Sequence, residues 1–341
     1  MSDDRVLLAH GSGGKLSHDL VQRLFLRHFG NPALRHLDDS AVLELAVGSG
    51  LRLAFTTDSY VISPLFFPGG DIGKLAVCGT VNDLSMSGAK PLWLSAGFII
   101  EEGLPLSDLD QIVASMAATV ELAGVQIVTG DTKVVDRGSA DRLFINTTGV
   151  GVIAPGVEIG GERARPGDAI LLSGTMGDHG MTILTQREGL AFDSPLQSDC
   201  APLNGLVASL LEATGPGGVH VLRDPTRGGL ATTLNEIACA SLAGIEIEER
   251  QIPVREAVRA ACELLGLDPL YVANEGKLVA IVDRSVAPQA LEALRRDPLG
   301  ADAVQIGQVC EQHPERVVLH TCLGARRVVA MLMGEQLPRI C

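Results

Sequence analysis

At 341 residues the chain is long enough for two domains rather than one. A net charge of −14 argues against binding a phosphate backbone, and an aromatic content of 3% argues against a base-stacking platform. The seven cysteines include no C-x-x-C pair, so neither a zinc ribbon nor a thioredoxin-type site is expected.

The amino-terminal "MSDDRVLLAH" has no basic stretch before an apolar run, and no segment carries 18 consecutive apolar residues. Neither a signal peptide nor a transmembrane helix is expected, and an odd cysteine count without a disulfide framework points to the cytoplasm. Cysteines in "AVCGT" and "IACAS" read as small core residues. "HGSGGK" (10–15) follows. Its Gly11, Gly13 and Gly14 permit close backbone approach to a phosphate, to which Lys15 would add charge. The Walker A spacing is absent, and alone the segment reads more plainly as a flexible amino-terminal turn.

Strand-like and helix-like segments then alternate. Residues 51–57 form a strand, 71–89 a helix with apolar positions 72, 75, 76 and 79, and 91–100 a buried strand. Residues 106–124 form an amphipathic helix capped by Ser107 or Asp108 and ended by Gly124, followed by strands at 125–135 and 142–154. The Gly-, Pro- and charge-rich "PGVEIGGERARPGD" (155–168) marks a domain boundary. Beyond it lie strands at 169–174, 218–224, 244–249, 277–283, 304–309 and 316–320. Between these come helices at 177–188, 202–213, 228–241, 254–265 and 286–296. The expectation is two α/β (α+β) domains with mixed sheets, residues 1–155 and 156–328, and a tail over 329–341.

Aspartates recur at what read as strand ends and loop starts: Asp38 and Asp39 in "LDDSAV", Asp58, Asp83, Asp131 and Asp224. A carboxylate directly after an apolar strand sits where α/β folds bind ligands. Several converging carboxylates need a cation, and hard oxygen donors beside phosphate suit Mg²⁺. Taken one by one they are ordinary caps and turn residues. "DPTRGGL" (224–230) feeds a helix whose amino terminus suits an anion. "TGDTKVV" sets Lys133 two residues after Asp131, and "ANEGKLV" offers Glu275 and Lys277; surface ion pairs are the plain reading of both. His179 in "GTMGDHG" reads as a structural histidine. The chain ends "PRIC", an exposed thiol at Cys341 that is normally a liability.

Taken together, "AHGSGGK", "TTDSYVISPLFFPGGDIGKLAVCGTVNDLSMSGA", "VTGDTKVV", "LFINTTG", "SGTMGDHG", "DPTRGGLATTLNEIA", "ANEGKLV" and "PRIC" resemble the HypE family of hydrogenase maturation proteins. The resemblance runs from Ala9 to Cys341. That family is grouped with PurM, selenophosphate synthetase and thiamine-monophosphate kinase. It implies a PurM-like two-domain fold, a homodimer, and ATP with Mg²⁺ as cofactors. It also implies a reaction: a HypF-type carbamoyltransferase loads the terminal cysteine, the S-carboxamide is dehydrated to S-cyanate with ATP, and cyanide passes to iron on a HypC–HypD complex.

Carried over by motif, Cys341 is the carrier thiol, and Asp39, Asp58, Asp83 and Asp224 are the metal carboxylates, with the choice between Asp38 and Asp39 open. Lys74, Asn82, Asp58, Asp131, Thr132 and Thr226 are implied nucleotide contacts, and Gly11, Gly13, Gly14 and Lys15 a phosphate-covering segment. Glu275 is the implied proton acceptor and Lys133 the orienting group. A selenophosphate synthetase would carry a reactive cysteine in the segment that here reads "HGSGGK", and a purine or thiamine kinase leaves "PRIC" idle. A non-catalytic thiol carrier would consume no ATP, and a redox-sensing thiol would need a resolving partner or a lowered pKa.

Overall fold

The computed structural model describes residues 14–25, 37–44, 51–190, 196–332 and 340. Gly11, Gly13 and Cys341 lie outside them. The first sheet comprises β1 (Ala41–Glu44), β2 (Arg52–Tyr60), β5 (Ala89–Glu101), β6 (Gln126–Val135) and β7 (Leu143–Ile153), in the order β1-β2-β7-β5-β6. Only the β5–β6 pair is parallel; β1–β2, β2–β7 and β5–β7 are antiparallel. A small hairpin, β3 (Phe66–Phe67) with β4 (Gly70–Asp71), leads into the helices.

The helix α1 (Lys15–Leu20) is short and is followed by a π turn at Val21–Phe25. Helix α2 (Ile72–Met86) is buried almost throughout, because the first sheet, helix α3 (Leu106–Ala123) and the second half of the chain all pack on it. Asp71 caps it, accepting hydrogen bonds from Gly73 N at 2.7 Å and Lys74 N at 3.0 Å. Helix α3 ends at Gly124 with φ 67°, as its sequence implies, but its amino-terminal cap is Pro105 and uses no side chain. Asp108, a candidate for that cap, pairs with Arg142 at 2.9 Å instead.

The second sheet has seven strands: β8 (Ala169–Leu172), β9 (Val219–Arg223), β10 (Gly244–Glu248), β11 (Val279–Val282), β12 (Val304–Cys310), β13 (Val317–His320) and β14 (Arg326–Val329). Their order is β14-β13-β10-β12-β8-β11-β9, with β10–β13 the parallel pair. Helices α4 (Asp178–Arg187), α5 (Asn204–Thr214), α6 (Gly229–Ser241), α7 (Glu256–Leu265) and α8 (Ala287–Arg296) accompany it. Apolar faces on both sides of this sheet explain the unbroken burial of β8, β9 and β11; β8 and β11 read as continuous apolar runs, whereas in β9 His220 pairs with Asp168 and Arg223 with Asp39. Val329, which the sequence pattern assigns to the tail, is fully buried as the last residue of β14. Cys239, expected in the core, is exposed, because "IACAS" falls at the end of α6.

An apolar cluster joins the first sheet to the second half of the chain. It takes Tyr60, Ile62, Leu75 and Ile145 from the first half, Ile183, Cys200 and Ala273 from the second, and Ile340 from the end of the chain.

Candidate functional site

A cleft of about 240 Å³ opens where β2, α2, the β9–α6 turn and the 274–277 turn meet. Asp39, Asp58, Asp83, Asp224 and Glu275 all line it, with Thr226 and Arg227 at one side. Of these aspartates, expected at strand ends and loop starts, only Asp224 directly follows a strand. Asp58 lies within β2 and Asp83 within α2. Asp83 reaches the cleft because it shares a helix face with Gly79, four residues earlier. A Cβ at Gly79 would stand 2.2 Å from the Tyr60 hydroxyl, so glycine there is what lets Tyr60 cross the helix and donate to Asp58 at 3.2 Å.

The pair Asp38 and Asp39 is now divided. Asp39 lines the cleft, whereas Asp38 accepts from Gly161 N at 3.3 Å. Asp39 is held by Arg223 at 2.6 Å, and Arg223 reaches Glu236 at 3.0 Å with its other nitrogen. Arg223 is nearly buried, and its two carboxylates keep it charged despite the desolvation. Thr56 donates its hydroxyl hydrogen toward the Asp83 carboxylate at 2.9 Å or the Asp39 carbonyl at 3.0 Å.

Negative charge is under-compensated here. Burial pushes the Asp39, Asp83, Asp224 and Glu275 carboxyls above their ordinary range, and the neighbouring carboxylates add to the shift. For Asp83 the neighbours are Asp58, Asp224 and Asp39. The buried Asp39 Oδ2 has no hydrogen-bond partner. An all-oxygen donor set with an orphaned carboxylate oxygen fits a hard divalent cation. Among the described residues, the group whose ligand atoms come within 4.8 Å of one another is a different one, Asp168, His220 and Asp283. There His220 is already closed on Asp168 at 2.7 Å. The cleft carboxylates stand further apart, as suits a cation shared with bound phosphates rather than caged by protein.

Glu275 is set by its turn. Asp199 accepts from Glu275 N at 3.1 Å, Gly276 N at 3.3 Å and Lys277 Nζ at 3.2 Å. Lys277 therefore pairs with Asp199 and not with Glu275. A Cβ at Gly276 would lie 1.8 Å from the Asp199 carbonyl, so no other residue fits without moving the turn. Asn274 ties it to the neighbouring loops, donating to Pro225 O at 3.0 Å and accepting from Gly177 N at 2.7 Å.

Several expected contacts stand elsewhere. Asn82 is buried with its amide fully engaged inside the protein, donating to Ala201 O and Glu275 O and accepting from Leu203 N at 2.7 Å. It clamps the 274–277 turn rather than facing the cleft. Lys74 donates to Gly69 O at 2.8 Å, about two and a half helical turns from Asp83 and outside the cleft lining. Gly14 abuts Leu332, whose carbonyl accepts Lys15 N at 3.0 Å, and neither lines the cleft. Asp131, Thr132 and Lys133 lie on β6, an edge strand exposed over nearly its whole length. Asp131 and Lys133 line an adjoining groove of about 520 Å³, which shares Ser59 and Tyr60 with the carboxylate cleft. Lys133 and Glu275 thus line different cavities, which meet at Ser59 and Tyr60. Thr56, Tyr60, Gly79, Arg223 and Arg227 escaped the sequence reading, although "LRDPTRGG" carries both arginines beside Asp224.

Two α/β halves packed over a carboxylate-lined cleft define the class of AIR synthase related proteins. Residues 37–153 match the AIR synthase related protein N-terminal domain, and residues 165–320 match its C-terminal domain. The chain is 57% identical over 337 residues to the carbamoyl dehydratase HypE of Cupriavidus necator, covering 99% of this chain and 95% of that protein. A HypE crystal structure in complex with ATP superimposes with a TM-score of 0.82 at 55% identity, covering 99% of this chain and 100% of that one. The HypE of a HypE–HypF complex gives 0.86 at 50% identity, over 92% and 99% of the two chains. The chain belongs to the HypE family.

Proposed function

We propose that this chain is an ATP-dependent carbamoyl dehydratase that converts an S-carboxamide on Cys341 to an S-cyanate, the source of a cyanide ligand for NiFe-hydrogenase iron. The observation that supports this most directly is the position of Ile340. It is buried and forms an antiparallel bridge with Ile62, two residues beyond Tyr60. Tyr60 and the carboxylate cleft it lines lie about 7 Å from Ile62 at strand spacing. Ile340 is thus packed in the apolar cluster, two strand positions from Tyr60, which lines the cleft.

Amide oxygen is a poor leaving group, and phosphorylation makes it a good one. In the reaction proposed, the carbamoyl oxygen bonds to the γ-phosphorus as ADP departs. The C–O bond then breaks, the oxygen leaves with phosphate, and loss of both N–H protons completes the nitrile. Asp39, Asp58, Asp83 and Asp224 would hold Mg²⁺, which when bound neutralises the charge gathered at the transferring phosphate. Thr226 and Arg227, just before α6, face the anion. Glu275 accepts protons from the amide nitrogen, and Lys133 orients the carbamoyl group. Seating of the tail excludes water, which would compete for the activated intermediate.

The open face of the first sheet and the β6 edge favour a homodimer. Phe55, Trp93, Ile99, Val128 and Val134 leave large apolar surface exposed. A second copy against that face would bring Asp131, Thr132 and Lys133 into an enclosed site. We place the domain boundary at 155/156 and read a HypF-type carbamoyltransferase and a HypC–HypD complex as partners. Among the described residues no helix is long and apolar enough to cross a membrane, and we assign the chain to the cytoplasm.

The test is to supply carbamoyl donor and carbamoyltransferase with ATP and follow the carboxyl-terminal peptide by mass. One carbamoyl group should appear, then one water should be lost. With ¹⁸O in the carbamoyl oxygen, the label should emerge in inorganic phosphate. Loading without ATP-dependent water loss would reduce the chain to a carrier.

A second expected outcome concerns pH. Carboxyls whose folded pKa is raised contribute stability that is fully present below the unfolded pKa, near 4, and lost as pH climbs through the folded value. The metal-free protein should therefore lose thermal stability as pH rises above about 4, through the Asp39, Asp83, Asp224 and Glu275 protons. Added Mg²⁺ should raise Tm more at about pH 8 than at about pH 5. Equal gains at both values, read by scanning calorimetry, would remove these carboxylates as its ligands.

A further inference from the structure

His179 lies in the first turn of α4 and has no exposed surface. Its Nε2 is 2.6 Å from the Ile340 carbonyl and its Nδ1 is 2.8 Å from Ser198 Oγ. A carbonyl only accepts, so Nε2 carries the hydrogen. Burial pulls the ring's pKa below its ordinary value, which favours the neutral form. In that form Nδ1 accepts from the Ser198 hydroxyl, whose oxygen in turn takes the Cys200 N–H at 3.1 Å. The Phe67 ring stands edge-on at 5.6 Å and 86°. The imidazole is thus fixed in orientation and in tautomer, with its one N–H aimed at one atom.

That atom belongs to the peptide bond joining Ile340 to Cys341. The Ile340 side chain meanwhile lies in the apolar cluster of Ile62, Ile183 and Ala273. Desolvating a histidine carries a cost unless both nitrogens are satisfied, and here one of the two partners is the carbonyl of Ile340.

We propose that His179 is a positioning residue for the dehydration: it grips the carbonyl of the Ile340–Cys341 peptide while Ile340 fills the apolar slot beside Ile62, so that the carrier thiol is presented at a fixed depth. The assignment rests on the carbamoyl dehydratase reading for its rate arm and is independent of it for its docking arm. It also defines what the slot recognises, an apolar residue immediately before the carboxyl-terminal cysteine, followed by a backbone carbonyl held by a neutral imidazole.

The experiment compares the full chain with His179→Leu, His179→Gln and Ile340→Asp. Two quantities are read at the carboxyl-terminal peptide by mass. One is the rate of Cys341 alkylation by iodoacetamide. The other is the rate of ATP-dependent water loss after carbamoyl loading. His179→Leu should speed alkylation and slow water loss by about tenfold each, the weight of one buried hydrogen bond, with loading and ATP affinity unchanged. His179→Gln keeps an N–H donor and should recover most of both. Ile340→Asp should reproduce both changes without touching the histidine, and the Leu/Asp double variant should be no worse than the poorer single variant. Should His179→Leu fail to fold, Ile340→Asp decides, since it alters only the chain end. Parental alkylation in both variants overturns the proposal, as does slowed water loss with alkylation unchanged. A parental chain that never loses water overturns the reaction reading alone, and alkylation still decides the docking.

Discussion

Replacing Cys341 by Ala is expected to abolish carbamoyl loading and, with it, every later product. Four of the other thiols are out of reach. Cys78, Cys200, Cys262 and Cys310 are buried. Burial pushes Cys262 up to about 11, so that at pH 7 only about one molecule in 10⁴ carries its thiolate there. Cys200 lies well above its ordinary value through its contact with Cys78 and through burial, and Cys239 and Cys310 are raised by burial as well. Cys239 and Cys322 are exposed and serve as internal controls for adventitious modification. Peptide mapping checks the outcome. A carbamoyl adduct on any thiol other than Cys341, or one that survives in Cys341→Ala, would refute the carrier assignment.

Glu275→Gln should load the carbamoyl group at the parental rate and dehydrate it about 10² to 10⁴ times more slowly, the range seen on removing a positioned general base. The substitution is close to isosteric. The turn itself is held by backbone hydrogen bonds to Asp199 and Asn82, which Gln leaves in place. Burial and the nearby Cys200, Asp224 and Asp199 raise the Glu275 carboxyl well above its ordinary value. A base with a raised pKa is protonated at low pH and becomes competent as pH rises through that value. The parental dehydration rate should therefore climb with pH above the ordinary carboxylate range, and the Gln variant should lose that limb. Single-turnover measurement on the loaded protein separates the effect from loading. Equal rates in parent and variant would exclude Glu275 as the proton acceptor.

Much of the site was legible in local sequence because its parts are local. Asp224 follows the apolar β9, and the glycines after it permit the turn into α6. Helix and strand positions follow their apolar period to within a few residues, as for 106–124 against Leu106–Ala123. Asn82 and Lys74 stand off the cleft lining for a shared reason. Each is a polar residue on a helix beside the site, and only the packing of α2 against the 199–203 segment decides that Asn82 faces inward to hold Glu275 O and Leu203 N. Asp38 and Asp39 are adjacent and chemically alike. What separates them is Arg223, 184 positions along the chain from Asp39.

By itself the sequence determined the alternation of elements, the inventory of carboxylates, the absence of a disulfide framework and the terminal thiol. These depend on residue type and on spacing within one segment. The tertiary structure decided which carboxylates converge, which lysine pairs with Asp199, and that Lys133 stands on an open edge while Glu275 is buried. It also decided that His179, unremarkable in "GTMGDHG", meets Ile340 across 161 positions. Contacts at such separations arise from how two sheets and their helices pack, and no local period encodes them.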